Sequence, residues 1–147
     1  MIQLADPAAT AAAGAALAPM LRAGDVIALY GDLGAGKTSF ARGLLAALGL
    51  PGEAPSPTFP IVVSYAPPEV RLAVAHVDLY RIDDPDETEE LGLDDALYDS
   101  ALLIEWPERL GDRLWPNALR LRFEAEGTGR RLTWDVPPAW EGRWPPR

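Results

Sequence analysis

Lys and Arg together account for 13 of the 147 residues, and Lys37 is the only lysine among them. It sits in "GDLGAGKT", Gly31 to Thr38, which fits the pattern G-x-x-x-x-G-K-[ST]. Small residues let the backbone N–H groups of Leu33, Gly34, Ala35 and Gly36 turn inward as a nest for phosphate oxygens. A helix beginning at the end of the loop adds the positive end of its dipole. A compact ammonium on a flexible stem can reach between β- and γ-phosphates, where the broad planar fork of arginine fits poorly. The Thr38 hydroxyl is placed to meet a Mg2+ ion that neutralises the same phosphates. The expected ligands are therefore a nucleoside triphosphate and Mg2+. An Asn-Lys-x-Asp element for guanine is missing, because the single lysine is already committed, and this favours ATP.

Hydrolysis needs carboxylates as well, to hold the metal's water shell and to orient or polarise the attacking water. Glu105 follows the apolar run "ALLI" and Asp78 closes "VAHVD", so two strand-like segments end in acids. Either acid alone also reads as an edge residue that caps a following helix or pairs with Arg81 or Arg109. Thr58, in "SPTF", occupies the loop where a segment ordered by the γ-phosphate is common, although a Pro-fixed turn satisfies the same pattern. His76, the single histidine, falls in an alternating apolar run, where a core or half-buried histidine is more usual than a catalytic base.

These residues need elements to hold them. Asp6 as N-cap and Pro7 at the first helical position predict a helix through the alanine-rich run, with a break near Pro19, a stop at Gly24 and alanines suited to packing closely on a sheet. "DVIALYG" predicts a buried strand leading into the glycine loop. "TSFARGLLAALGL" predicts a helix with Phe40, Leu44, Leu45 and Leu48 on its apolar face, ended by Gly49. "IVVSY" and "VRLAVAHVD" alternate and predict a hairpin turning at "APPE". The acidic run "RIDDPDETEELGLDDALYDS" suits one surface helix or two short ones, capped by Asp84 or Asp86. "ALLIEW" predicts a buried strand, and "LRLRFEAEG" with "RRLTWDV" a terminal hairpin, after which residues 136–147 are too rich in proline to continue it and are expected to be irregular. The predicted class is α/β: one P-loop-type domain spanning 1–147, its central sheet mostly parallel, with antiparallel hairpins and flanking helices.

Composition narrows the function classes. A net charge of −9 and a pI near 4.5 disfavour a surface that grips nucleic acid unaided. Without cysteine there are neither disulfides nor thiolate metal sites. No apolar run approaches the roughly 20 residues of a membrane helix, and "MIQLADPAATAAAG" lacks a signal-peptide pattern. The expected setting is the cytoplasm, with no membrane contact.

Taken together and in order, "GDLGAGKT", "SPTF" followed by "IVVSY", "HVDLYRI", "LGLDD" and "IEWPE" resemble the bacterial tRNA threonylcarbamoyladenosine biosynthesis ATPase family TsaE, also called YjeE. The matching pieces run from about Gly24 to Glu108. The resemblance implies a small Mg2+-dependent ATPase, weak alone, that joins two partner proteins of the TsaD and TsaB type. Those partners carry out threonylcarbamoyl transfer to adenosine 37 of tRNAs reading codons that begin with A, so that tRNA is met only indirectly. It places Lys37 on the phosphates, Thr38 and Glu105 on Mg2+, Thr58 at the nucleotide and Asp78 in catalysis. It also puts Trp106 over the site as a shield and the segment near Asp6 at the adenine end. Ser39 stands where a second threonine is frequent in the family. The acidic "DDPDETEE" offers a face to a basic partner surface, or is a solvated helix. A small-molecule P-loop kinase and a non-hydrolysing, ATP-regulated scaffold are the alternative functions.

Overall fold

A computed structural model describes residues 1–32, 34, 36–52, 54–55 and 61–145. Seven strands form one sheet: β1 (Ile2–Leu4), β2 (Val26–Tyr30), β3 (Val62–Tyr65), β4 (Val74–Asp78), β5 (Ala101–Glu105), β6 (Leu119–Glu126) and β7 (Gly129–Asp135). Their spatial order is β1-β7-β6-β2-β5-β4-β3. The inner run β6-β2-β5-β4 is parallel, while β1, β7 and β3 pair antiparallel at the two margins. Strands β2, β4 and β5 are buried along their whole length, as expected of parallel strands covered on both faces. β4 is therefore shorter than the alternation of "VRLAVAHVD" suggests and has no exposed face.

Helices α1 (Pro7–Leu17) and α2 (Lys37–Ala47) cover one face. Asp6 caps α1 by accepting from Ala9 N at 2.8 Å, and Pro7 takes the first turn, where its missing N–H costs nothing. After Leu17 the chain tightens into a 3-10 turn at Ala18–Met20. The tight packing of α1 is onto α2 rather than onto the sheet. A Cβ on Gly14 would come within 3.1 Å of Leu44 N, and one on Gly43 within 2.6 Å of Ala11 Cα, so glycine is required on both sides of the crossing. Phe40, Leu44 and Leu45 of α2 then pack with Leu29, Leu103, Leu121 and Phe123 of the sheet.

The other face is covered by 3-10 turns at Pro85–Leu91 and Pro107–Arg113 and by the single-turn helix α3 (Leu93–Ala96). The acidic run thus forms two short pieces, and Asp84 is its cap, accepting from Asp86 N at 3.0 Å. Beyond β7 a 3-10 turn spans Pro138–Trp140, and Trp140 and Trp144 are both buried in the α1/α2-side core. Arg143 makes a bidentate pair with the buried Asp25 at 2.7 and 3.0 Å and also donates to Met20 O at 2.9 Å. The stretch expected to be irregular thus also contributes two side chains to the core, Trp140 and Trp144.

Candidate functional site: a glycine loop at the carboxyl edge of the sheet

The loop that contains Lys37 leaves the carboxyl end of β2 and enters α2. Gly34 and Gly36 have φ of +78° and +113°, a backbone region open to glycine and costly for other residues. This lets the chain reverse without side chains between it and a ligand. Lys37, at the first turn of α2, is only 4% exposed. Its ammonium donates to Gly31 O at 2.5 Å and lies 3.8 Å from the centroid of the Trp106 ring. Burial pushes its pKa below the usual lysine value, and the nearby carboxylates of Glu105, Glu108, Asp78 and Asp32 oppose that shift.

The two acids arrive at the same edge because β4 and β5 are parallel and in register there, with Asp78 beside Glu105. Glu105 is 3% exposed. Thr38 Oγ1 lies 3.2 Å from its Oε1, and His76 Nε2 lies 2.7 Å from its Oε2. Asp78 accepts from Tyr80 N at 2.9 Å. Burial holds its carboxyl above the ordinary aspartate value; the Tyr80 N–H opposes this and the Glu105 charge adds to it. The side-chain contacts these acids make among the described residues are therefore with Thr38, His76 and the Tyr80 backbone.

Trp106 directly follows Glu105 with φ +60° and ψ +49°, the only non-glycine with positive φ among the described residues. A bulky residue in that region is strained by about 1–2 kcal/mol. Here the turn swings the indole over Lys37 and edge-on to Tyr80, with ring centroids 5.0 Å apart. Strain of this kind concentrates at functional sites.

These groups line a pocket of about 270 Å3, bounded on its far side by Leu4, Asp6 and Thr10 and by Thr128 to Arg130 of the β6–β7 hairpin. The structure thus brings Asp6, Gly34, Gly36, Lys37, Thr38, Asp78, Glu105 and Trp106 together around one opening. Leu33, Ala35 and Thr58 lie outside the described residues. Sequence reasoning missed two features. Arg130 donates to Gly34 O at 2.6 Å and so braces the loop from a hairpin distant in the chain, with no local motif to announce it. β1 carries Leu4 to the pocket wall but is only 3 residues long. The His76–Glu105 contact did have a signal. His76 lies two positions before Asp78, hence on the same strand face, next to the strand that ends in Glu105.

Open α/β sheets bind ligands at the carboxyl ends of their strands, and a nest of amides, one ammonium and a hydroxyl beside a carboxylate can hold a polyphosphate. Thr38 and Glu105 supply hard oxygen donors 3.2 Å apart. Among the described residues no group of three or more His, Cys, Asp or Glu forms a metal cage. That donor set fits Mg2+, which keeps several waters and takes one or two protein oxygens together with phosphates.

Residues 4–132 match the family model described as "Threonylcarbamoyl adenosine biosynthesis protein TsaE". The chain belongs to the TsaE family. A tRNA threonylcarbamoyladenosine biosynthesis protein TsaE from Streptomyces coelicolor is 44% identical over 112 residues, covering 76% of each chain. The protein of that name from Bacillus subtilis is 35% identical over 127 residues, 86% of this chain and 78% of its own. The crystal structure of Bacillus subtilis YdiB superimposes with a TM-score of 0.79 at 29% identity, covering 97% of this chain and 88% of that one. The expected α/β class, with a mostly parallel sheet centre and antiparallel margins, is the class observed. None of the described helices is long and apolar enough to cross a membrane.

Proposed function

We propose that this TsaE-family protein is a Mg2+-dependent ATPase that serves the formation of threonylcarbamoyladenosine in tRNA. The observation that carries this is the convergence of Lys37, Thr38, Asp78 and Glu105 at one edge of the sheet, around the glycine loop. The relatives' shared name supplies the process. In this reading the loop amides and Lys37 bind the β- and γ-phosphates, and Asp6, Thr10 and Arg130 wall the nucleoside end. Thr38 and Glu105 would hold Mg2+, which when bound neutralises charge on the phosphates. Asp78 orients the attacking water, and burial raises its affinity for the proton that water must release. As water oxygen bonds to the γ-phosphorus, the bond to the β–γ bridging oxygen breaks, leaving ADP and phosphate. Trp106 limits water entry beside Lys37.

The protein acts with the two transfer proteins, of the TsaD and TsaB type, and meets tRNA through them in the cytoplasm. Its hydrolysis is slow alone and coupled to their cycle, and its net charge of −9 suits a protein partner better than direct tRNA binding. The test is reconstitution: this protein, ATP, Mg2+, the two partners and tRNA, against the same mixture with Lys37→Ala. Multiple-turnover modification should need the wild-type protein. Equal modification with Lys37→Ala, or phosphoryl transfer from ATP to a small metabolite, would overturn the reading.

A further inference from the structure

His76 is fully buried on β4, on the face that also carries Val74, Leu103 and the α2 residues Phe40 and Leu44. A leucine would fill such a place without polar cost. The imidazole instead makes one hydrogen bond, to Glu105 Oε2 at 2.7 Å, while its Nδ1 is buried with no partner. A buried polar atom left unsatisfied costs about 1–3 kcal/mol and calls for an explanation. Where Glu105 Oε2 accepts, Nε2 carries the hydrogen, and in the neutral ring the lone pair is then on Nδ1.

Among the described residues, the Glu105 side chain has two hydrogen-bonding partners: His76 at Oε2, and Thr38, whose hydroxyl is nearer Oε1 at 3.2 Å and lies 3.5 Å from Oε2. A glutamate has three rotatable side-chain bonds, and ordering it costs up to about 2 kcal/mol. The charge-assisted bond from His76 offsets that cost and fixes the plane of the carboxylate, leaving Oε1 turned toward the loop. Oxygen ligands of metals are oriented by such outer hydrogen bonds, whose loss typically costs about 10- to 100-fold in metal affinity or activity.

We propose that His76 is a positioning residue that holds Glu105 in the orientation facing Thr38, so that the Mg2+–nucleotide site is built before ligand arrives. This rests on the reading of Glu105 as a metal-side acid. Because His76 is the only histidine, long-range 1H–15N correlation of the imidazole in the ligand-free protein gives one assignable pattern. A protonated Nε2 and bare Nδ1 are expected, and the Nδ1–H tautomer would overturn the proposal. The second measurement is the Mg2+ dependence of binding of a fluorescent ADP analogue to wild type, His76→Leu and His76→Gln. His76→Leu should need about 10- to 100-fold more Mg2+ while its Mg2+-free affinity stays at the wild-type level. The amide nitrogen of His76→Gln, placed near the lost Nε2, should restore most of the Mg2+ response. Wild-type Mg2+ dependence in His76→Leu, or no recovery in a folded His76→Gln, refutes it; if the leucine variant does not fold, the glutamine variant and the tautomer decide. Glu105→Gln is the reference. If it too leaves the Mg2+ requirement unchanged, the metal-side reading of Glu105 has failed and the proposal falls with it. A changed Glu105→Gln beside an unchanged His76→Leu defeats the positioning role alone.

Discussion

Gly43→Ala tests whether the crossing of α1 and α2 sets the pocket. The added methyl would lie 2.6 Å from Ala11 Cα and closer still to its carbonyl oxygen, whereas ordinary contact begins near 3.4 Å. Both obstacles are backbone, so no rotamer relieves them, and the helices must separate by about 0.8 Å or more, the difference between those two distances. Overpacking of this kind costs about 1–3 kcal/mol, and a contact with rigid backbone belongs at the upper end. Alanine recovers about 1 kcal/mol of helix propensity. The net loss is about 2 kcal/mol, or roughly 6 °C in Tm for a domain of this size. The separation also reaches the site, because α1 carries Thr10, whose Cγ2 is 3.3 Å from where a Cβ on Gly36 would stand, and Asp6 caps the same helix. Thermal unfolding by circular dichroism and a nucleotide titration on the folded variant make the assay, with lowered Tm and weakened binding expected together. An unchanged or raised Tm refutes the close-packing argument. A lowered Tm with wild-type nucleotide affinity refutes the coupling to the pocket.

Asp78→Asn should abolish hydrolysis yet raise stability at pH 7, because Asn keeps an acceptor for Tyr80 N without the buried charge. The carboxyl's native pKa lies above 3.8, so above pH 3.8 the native state binds more protons than the unfolded chain. Its contribution therefore falls as pH rises through the raised value, and the variant's Tm advantage should shrink as pH is lowered toward 3.8. An advantage that does not vary with pH would contradict this. Arg143→Ala leaves the buried Asp25 without its bidentate partner and should cost about 3 kcal/mol, read as a lower urea midpoint. A variant as stable as wild type would show that residues 136–145 are not integral to the fold. Arg130→Ala removes a hydrogen bond to Gly34 O and a cation lining the pocket. Nucleotide affinity should fall about tenfold, the equivalent of one charge-assisted bond of about 1.4 kcal/mol; an isotherm matching wild type would remove Arg130 from the site.

What the sequence revealed follows from which forces are local. Gly31–Thr38 was legible because the loop's requirements, glycine at positive φ and a helix N-terminus directly after, are met by consecutive residues. The capping of α1 by Asp6 was legible for the same reason. The contributions of Arg130 and Leu4 were not, since β1 is recruited to the sheet only by pairing with β7 and Arg130 meets Gly34 from 96 residues away. Proline made residues 136–147 look irregular, and over 136–145 the backbone forms only a 3-10 turn at Pro138–Trp140 and further turns and bends. Trp140 and Trp144 are nonetheless buried, an outcome decided by a space that α1, β7 and the Arg143–Asp25 pair leave between them. The alanines of α1 pointed to close packing, but Gly14 and Gly43 name the partner only once the two helices are seen to cross.

Among the described residues, the buried polar and charged side chains are Thr10, Asp25, Lys37, His76, Asp78, Thr88 and Glu105. Three have self-contained structural explanations: Asp25 is paired by Arg143, Thr88 donates to Pro85 O at 2.6 Å, and Thr10 donates to Asp6 O at 3.3 Å. The other four, Lys37, His76, Asp78 and Glu105, lie in or directly beneath the pocket, and Trp106, with its strained backbone, lies there too. A chain selected for stability alone would place apolar groups at these positions, because burial disfavours the charged forms of Lys37 and Asp78 and leaves His76 Nδ1 without a partner. The penalties fall where β2, β4 and β5 end, while the apolar clusters on both faces of the same strands hold the backbone that carries them. Desolvation is the largest cause of both pKa shifts, and under the proposed function the wall that Trp106 and α1 form around the pocket would hold Lys37 beside the phosphates, and Asp78 beside the attacking water, in a setting of low polarity.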